Sequence, residues 1–172
     1  MTSASELIKD SAAESPTVKK NVVLAIAVGA FIGGAVDILW ACIEEGWDIP
    51  LYIAAGLLGR QAIHGGAGTY VLGVLLHFFI ASSWATVYYL ASRKLPFLIE
   101  YPFICGLNFG AWVELFMNLV VLPLSGLHHT GPLSLRYLLE GLAGKMVVIG
   151  LPIAYSVRHF APARTPRRVV PS

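Results

Sequence analysis

The sequence predicts an all-α integral membrane protein: a bundle of four transmembrane helices with both termini in the cytoplasm. Three observations support this fold class. Hydrophobic residues make up 56% of the 172-residue chain and charged residues 13%, about half the charged share of a soluble domain. Four long apolar runs follow one another, and the Lys and Arg residues gather at alternate connections between them. Because a helical crossing needs about 20 apolar residues, this length accommodates four crossings and short loops.

The composition excludes several classes of protein. The apolar excess argues against a cytosolic enzyme, a disordered chain and a basic nucleic-acid-binding module, and two cysteines are too few for a disulfide-stapled secreted domain. Cys42 and Cys105 both fall inside apolar runs, where a small buried thiol is the usual interpretation. We therefore expect the lipid bilayer as a partner, and no nucleic acid, no cofactor and no enzymatic activity.

The chain opens with a polar segment, residues 1–20, which we expect to be a mobile cytoplasmic tail and not a signal peptide. The first crossing, 21–43, is interrupted by one charged residue, Asp37. A long connection follows it. The apolar piece 49–59 of that connection is too short to span, so we expect it to lie at the outer interface or to form a re-entrant segment.

Three further crossings are predicted over residues 70–91, 101–122 and 137–157. The polar residues inside them are His77 in the second, Asn108, Glu114 and Asn118 in the third, and Glu140 and Lys145 in the fourth. These crossings complete a transmembrane domain over 21–158, which is followed by a basic cytoplasmic tail, 159–172. The existence of the four crossings follows from their length and their apolar composition.

The basic residues predict the orientation of the bundle, because short cytoplasmic loops hold an excess of Lys and Arg. With the N-terminus inside, nine basic residues lie on the cytoplasmic side: Lys9, Lys19, Lys20, Arg93, Lys94, Arg158, Arg164, Arg167 and Arg168. The far side has Arg60 and Arg136, and Lys145 lies within the membrane. This distribution favours a bacterial inner-membrane protein with an even number of crossings.

Each crossing has one ionisable residue that requires an explanation, since such a side chain costs about 2.5 to 3.5 kcal/mol in hydrocarbon. These residues are Asp37, His77, Glu114 and Lys145. Counting about 1.5 Å per residue along helices of alternating direction puts all four within one layer on the outer side of the midplane. Asn118 follows Glu114 by one helical turn and is expected to join the same layer.

A glycine precedes each of these four residues by four positions, at Gly33, Gly73, Gly110 and Gly141. A side chain on a helix leans over the residue four positions earlier, and a glycine there lets a neighbouring helix approach. The polar groups are therefore expected to lie on the contact faces. The motifs Gly29-x-x-x-Gly33 and Gly106-x-x-x-Gly110 could serve packing within the bundle or pairing between copies, so a homo-oligomer is a plausible assembly.

Three functions compete for the polar layer. The leading interpretation is a structural or accessory membrane protein in which Lys145 offsets Asp37 or Glu114 and the layer fixes helix packing. The alternative is a small proton- or ion-coupled transporter or channel that uses the intramembrane carboxylates and His77. The third is a metal site formed by the same carboxylates and His77, with help from histidines of the outer loops, namely His64, His128 and His129. A nearby Lys145 argues against the metal site.

Residues 77–159 carry a resemblance to a known family. The matching features are His77 opening an apolar helix with Ala85 and Tyr88, then Arg93 and Pro96, Gly106 and Gly110, the segment 122–127, and Leu139-Glu140 before a helix that ends at Arg158. On these residues the chain resembles the YagU-like group of bacterial inner-membrane proteins. The resemblance implies a compact multi-span inner-membrane protein and implies no reaction. Lys145 stands where the family tends to have histidine.

Overall fold

The computed structural model describes residues 16–127 and 135–161, and every regular element within these ranges is helical. The predicted N-terminal tail up to residue 15, His128 and His129, and the C-terminal tail from residue 162 lie outside the described residues. Four helices in the described chain are long and apolar enough to cross a membrane. The predicted all-α class with four membrane-spanning helices is therefore confirmed at the level of length and composition.

We number the helices in chain order. They are α1, Pro16–Glu45; α2, Ile49–Leu58; α3, Ala67–Lys94; α4, Phe97–Glu100; α5, Pro102–Leu124; and α6, residues 135–160. A short 3₁₀ turn, Arg60–His64, joins α2 to α3. The apolar spans within α1, α3, α5 and α6 begin and end within three residues of the predicted crossings. Residues 16–20, assigned to the tail from the sequence, already belong to α1, because proline is favoured in the first turn of a helix.

The four long helices form a ring in the order α3, α1, α6, α5. Helix α1 packs against both α3 and the second half of α6, and α5 packs against α6. Aromatic rings bridge the remaining side, between α3 and α5. Trp84 contacts Phe109 and Phe116 at ring-centroid distances of 5.9 and 5.3 Å, and Tyr88 contacts Phe109 at 4.9 Å. The edge-to-face geometry of all three pairs is a favourable one.

Glycines set the distance between α5 and α6. A Cβ atom at Gly110 would overlap the backbone of Lys145 and Met146, and one at Gly150 would overlap the carbonyl of Gly106. Gly29 and Gly33 likewise face residues of α6. Both small-residue motifs noted in the sequence therefore serve packing within the chain.

Two of the long helices contain a π-helical turn, Met117–Val121 in α5 and Met146–Gly150 in α6. Each turn ends two residues before a proline, Pro123 or Pro152. In α5 the Leu122 amide donates to the carbonyl of Met117, five residues earlier. A proline lacks an amide hydrogen and crowds the carbonyl four residues before it, so the preceding turn widens.

The short helix α2 packs on α3 and does not span. Its Ala54 and Ala55 are fully buried, and Pro50 lies so close to Gly73 that a Cβ atom there would overlap the Pro50 carbonyl. The Gly126 amide donates to the carbonyl of Gly56 at 2.7 Å and ties α2 to the end of α5. The structure therefore packs the 49–59 piece as a helix against the bundle.

The hydrophobic core fills the half of the bundle where α3 ends and α6 ends. Its buried members come from all four long helices and α4: Ala30, Ala81, Ala85, Tyr88, Leu98, Val113, Ile149, Ile153, Ala154 and Val157. Two hydrogen bonds fix this half: Ser156 Oγ donates to the Ala25 carbonyl at 2.7 Å, and the Tyr88 hydroxyl donates to the Leu98 carbonyl at 3.0 Å. The other half of the bundle, where α1 ends and α6 begins, contains a cavity.

Candidate functional site

An ion pair joins the first and last long helices. Lys145 Nζ of α6 lies 2.6 Å from Oδ1 and 2.7 Å from Oδ2 of Asp37 in α1. The Asp37 side chain is 8% exposed and that of Lys145 is 24% exposed, so both charges are largely removed from solvent. The sequence left Asp37 and Glu114 open as partners of Lys145, and the structure pairs Lys145 with Asp37.

His77 of α3 completes a three-helix contact around Asp37. Its Nε2 atom lies 3.8 Å from Oδ2 of Asp37 and 2.9 Å from the carbonyl oxygen of Gly34. Because a carbonyl oxygen can only accept, Nε2 carries a hydrogen and donates it to Gly34. This bond ties α3 to α1 one turn before Asp37 and leaves the carboxylate of Asp37 to Lys145.

Glu114 and Asn118 of α5 form a second polar unit. Asn118 Nδ2 donates to Glu114 Oε1 at 2.8 Å and to the backbone carbonyl of Glu114 at 3.0 Å. Both residues are buried, with 5% and 8% of their surface exposed. Asn118 lies in the π turn, where the usual helical hydrogen-bond pattern is interrupted. Its side chain therefore supports both the carboxylate and the backbone of Glu114.

These polar groups border one cavity of about 520 Å³. All four long helices and α2 contribute to its wall. Asp37, His77, Glu114, Asn118 and Lys145 all line it. The structure therefore brings the five residues selected from the sequence to a shared space, although Glu114 and Asn118 are not in hydrogen-bond contact with the other three.

The cavity opens at one end of the bundle. Glu44, Glu45 and Glu140 line it and are exposed, which places its mouth where α1 ends and α6 begins. Trp84, Val113 and Ile149 line its inner end, and the last two belong to the hydrophobic core beyond it. The cavity therefore runs from this exposed rim to the edge of the hydrophobic core.

The sequence missed most of the apolar wall. Trp40, Tyr52 and Trp84 line the cavity, as do Ile49 and Ile53 of α2. These positions look like ordinary membrane-facing or interfacial residues in the sequence. Pro152 inside the fourth predicted crossing and Pro123 directly after the third were the available signal, because a helix distorted by proline often marks a functional site.

The glycine pattern is confirmed as a pattern of contacts. Gly33 faces Val148 and Ile149, Gly73 faces Pro50, Gly110 faces Lys145 and Met146, and Gly141 faces the Glu114 carboxylate. Three of the four neighbours belong to long helices, and the fourth belongs to the short α2. The glycine at position i–4 therefore located the side of each helix that meets another segment.

Two other polar residues of the predicted crossings, Asn108 and Glu140, lie apart from these five residues. Asn108 is exposed and donates to the carbonyl of Ile104 at 2.9 Å. Glu140 is exposed at the cavity rim and accepts from Arg136 Nε at 2.8 Å. Cys42 is buried and Cys105 is partly buried, and neither forms a disulfide.

The metal hypothesis finds no support in this geometry. Within residues 16–127 and 135–161, no three His, Cys, Asp or Glu side chains come close enough together to hold a metal ion. Lys145 engages both oxygens of Asp37, which a metal would need. His64 is exposed, while His128 and His129 lie outside the described residues.

Comparisons with known proteins gave no match: no family model fits the sequence, and no curated protein or solved structure is similar to it. The resemblance to the YagU-like group therefore rests on the residues named above.

Proposed function

We propose that the protein is an integral protein of the bacterial inner membrane, with both termini on the cytoplasmic side. The four apolar helices support membrane insertion, and large apolar side chains such as Phe31, Phe79 and Trp112 are exposed, as lipid contact requires. The basic residues support the orientation. Arg93 and Arg158 lie at the end of the bundle that holds the core. We also propose membership of the YagU-like group, supported by the residues that carry the resemblance.

In this orientation the mouth of the cavity faces the outside of the cell. We propose that the cavity is the solute chamber of a small proton- or ion-coupled transporter. The observation that carries this proposal is that ionisable side chains from all four long helices border one open, hollow space. Ionisable residues at membrane depth commonly mark ion and proton pathways.

The hollow space favours transport over a purely structural layer. Protein interiors are close-packed, and polar groups that serve assembly alone are satisfied by one another or by single buried waters. Here the polar groups border a volume of about 520 Å³, which lies within the range of about 300 to 1,000 Å³ typical of ligand pockets. Buried core residues lie beyond the inner end of the cavity, and this favours a transporter that alternates between two states and not a permanently open channel.

The residues have distinct roles in this proposal. Asp37 and Glu114 exchange protons with the chamber, and His77 positions α3 against α1 beside Asp37. Protonation of Asp37 removes the charge that holds Lys145 and so weakens the link between α1 and α6. Because this link lies beside the chamber, its release couples proton binding to a change in helix packing.

Proteoliposomes that contain a pH-sensitive dye test this function. An imposed proton gradient should dissipate faster than in empty liposomes, and Glu114→Gln and Asp37→Asn should each slow the flux at least tenfold. Glu100→Gln is the matched control, because it removes a carboxylate outside the cavity lining. A flux equal to that of empty liposomes, or one that Glu114→Gln and Asp37→Asn leave unchanged, would contradict the proposal.

A structural role is the second candidate, and the Asp37–Lys145 pair favours it. The pair joins residues 108 positions apart, and it connects the first helix to the last. This role and the transport role predict different results for flux, so the same proteoliposomes separate them: a structural layer alone gives no flux. Neither role includes an enzymatic reaction.

A further inference from the structure

We infer that the cavity binds an organic cation, a molecule with a single ammonium-type charge and an apolar body. The inference rests on the proposed solute chamber and names the class of solute. It starts from the charge of the lining. Five carboxylates line the cavity, from Asp37, Glu44, Glu45, Glu114 and Glu140. Lys145 offsets Asp37, and Arg136 offsets Glu140 at the rim. Among the described residues the wall still has more carboxylates than basic groups, and such a wall concentrates cations.

Glu114 is the anchor for the positive charge. Lys145 is held by both oxygens of Asp37, and no Lys, Arg or His side chain in the described ranges lies within ion-pair distance of Glu114. Its hydrogen bond from Asn118 orients the carboxylate but brings no charge. A buried carboxylate that no cation contacts gains most from a cation that enters the cavity.

The rest of the lining matches an apolar body. Trp40, Tyr52 and Trp84 provide aromatic rings, and Met117 and Ile53 provide flexible and branched apolar surface. Aromatic rings attract organic cations through the negative charge of their faces. A hydrated metal ion would need several oxygen ligands at one point, and the described residues offer no such group. The wall therefore favours an organic cation over an inorganic one.

The test uses the full chain in micelles of dodecyl maltoside, whose headgroup has no ammonium group, and three aromatic probes. Benzyltrimethylammonium is the cation, benzyl alcohol is the neutral analogue and benzoate is the anion. Isothermal titration calorimetry should give saturable binding for the cation that is at least tenfold tighter than for either analogue. Equal affinity for the three probes, or no saturable binding of the cation by folded protein, would overturn the inference.

Two variants locate the site. Glu114→Gln keeps the size of the side chain and an oxygen for Asn118, and it should weaken cation binding at least tenfold; Glu100→Gln should leave it unchanged. Gly144→Phe keeps every charge and fills the cavity, which Gly144 lines. A Cβ atom at Gly144 would meet only Trp40, at 3.5 Å, so there is room for the larger side chain. This variant should abolish binding even if Glu114→Gln fails to fold. Unchanged affinity in a folded Gly144→Phe variant would overturn the inference.

Two further measurements keep the outcomes separate. Adding phosphatidylethanolamine to the micelles identifies the source of the cation. Competition with the probe indicates a lipid headgroup, and lack of competition indicates a soluble amine; either agrees with an ammonium site. Cation binding without proton flux would refute the transporter and leave the binding site standing. Proton flux without cation binding would refute the binding site and leave the transporter standing.

Discussion

Lys145 Nζ contacts both carboxylate oxygens of Asp37, at 2.6 and 2.7 Å, across the interface between α6 and α1. The contact closes the ring of helices, because it joins the two elements that are farthest apart in the sequence. It also neutralises the two charges beside the cavity, so that Glu114 is the buried carboxylate left for a solute. Stability and the proposed function therefore depend on the same pair.

The first prediction concerns the stability of this pair. Lys145→Met leaves Asp37 buried without a counter-charge, and we expect a loss of about 3 kcal/mol of unfolding free energy, the lower end for a buried pair. The cavity reduces the loss, since the Lys145 side chain is 24% exposed. Denaturant titration in detergent measures it, and the double variant with Asp37→Asn should recover most of it.

Arg136→Met is the control for this prediction. It breaks an ion pair of similar length, 2.8 Å, between side chains that are 87% and 55% exposed. An exposed pair within one helix is worth about 0.3 to 0.5 kcal/mol. If Lys145→Met destabilises the protein no more than Arg136→Met does, the contact between α1 and α6 is not a buried ion pair.

A second prediction concerns the close approach of α5 and α6. Gly110→Ala places a methyl group on the backbone of Lys145, and overpacking of this kind costs about 1 to 3 kcal/mol. Gly68→Ala lies in α3 with open space around it and should gain up to about 1 kcal/mol from helix propensity. Thermal unfolding in the same detergent compares the two variants. Equal midpoints would show that Gly110 is not at a helix contact.

A third prediction concerns the π turn that carries Asn118. Pro123→Ala supplies the missing amide hydrogen, so the turn can return to α-helical geometry. Such a change shifts the register by one residue and rotates Glu114 and Asn118 by about 100° relative to the end of α5. Proton flux should fall at least tenfold in a folded protein. Pro96→Ala, in the short connection before α4, should keep full flux, and a fully active Pro123→Ala variant would refute the role of the turn.

A fourth prediction concerns orientation. In a chain with Cys42 and Cys105 replaced by alanine, a membrane-impermeant maleimide should label Gln61→Cys in intact spheroplasts. Lys94→Cys, at the opposite end of α3, should be labelled only after the membrane is permeabilised. The reverse pattern would show that the basic residues do not set the orientation, and it would turn the cavity mouth toward the cytoplasm.

The sequence predicted the four long helices well, because their length and apolar composition depend on local residues. Counting residues along the helices predicts one level for Asp37, His77, Glu114 and Lys145, and in the structure all four line the same cavity. The sequence could not choose between Asp37 and Glu114 as the partner of Lys145. That choice depends on how each helix is rotated and on which helix stands next to it.

The sequence could not predict the cavity either, because the cavity also depends on how the helices are rotated and which of them are neighbours. Tyr52 and Trp84 are 32 residues apart in the chain, and only the packing of α2 on α3 brings both to one wall. The sequence analysis also did not predict the π turns, although Pro123 and Pro152 indicated that the two helices are distorted. A proline in a crossing shows that the helix is distorted but does not show whether the distortion is a kink, a break or a widened turn.

The central claim is that the polar groups face a water-accessible chamber inside the bundle. The most direct test is the reactivity of a cysteine in that chamber, Gly144→Cys, toward a small cationic thiosulfonate in the chain without its native cysteines. We predict that it reacts from outside the cell at a rate within tenfold of the exposed Gln61→Cys, while Ala154→Cys in the buried core does not react. A Gly144→Cys variant as unreactive as Ala154→Cys would contradict the claim.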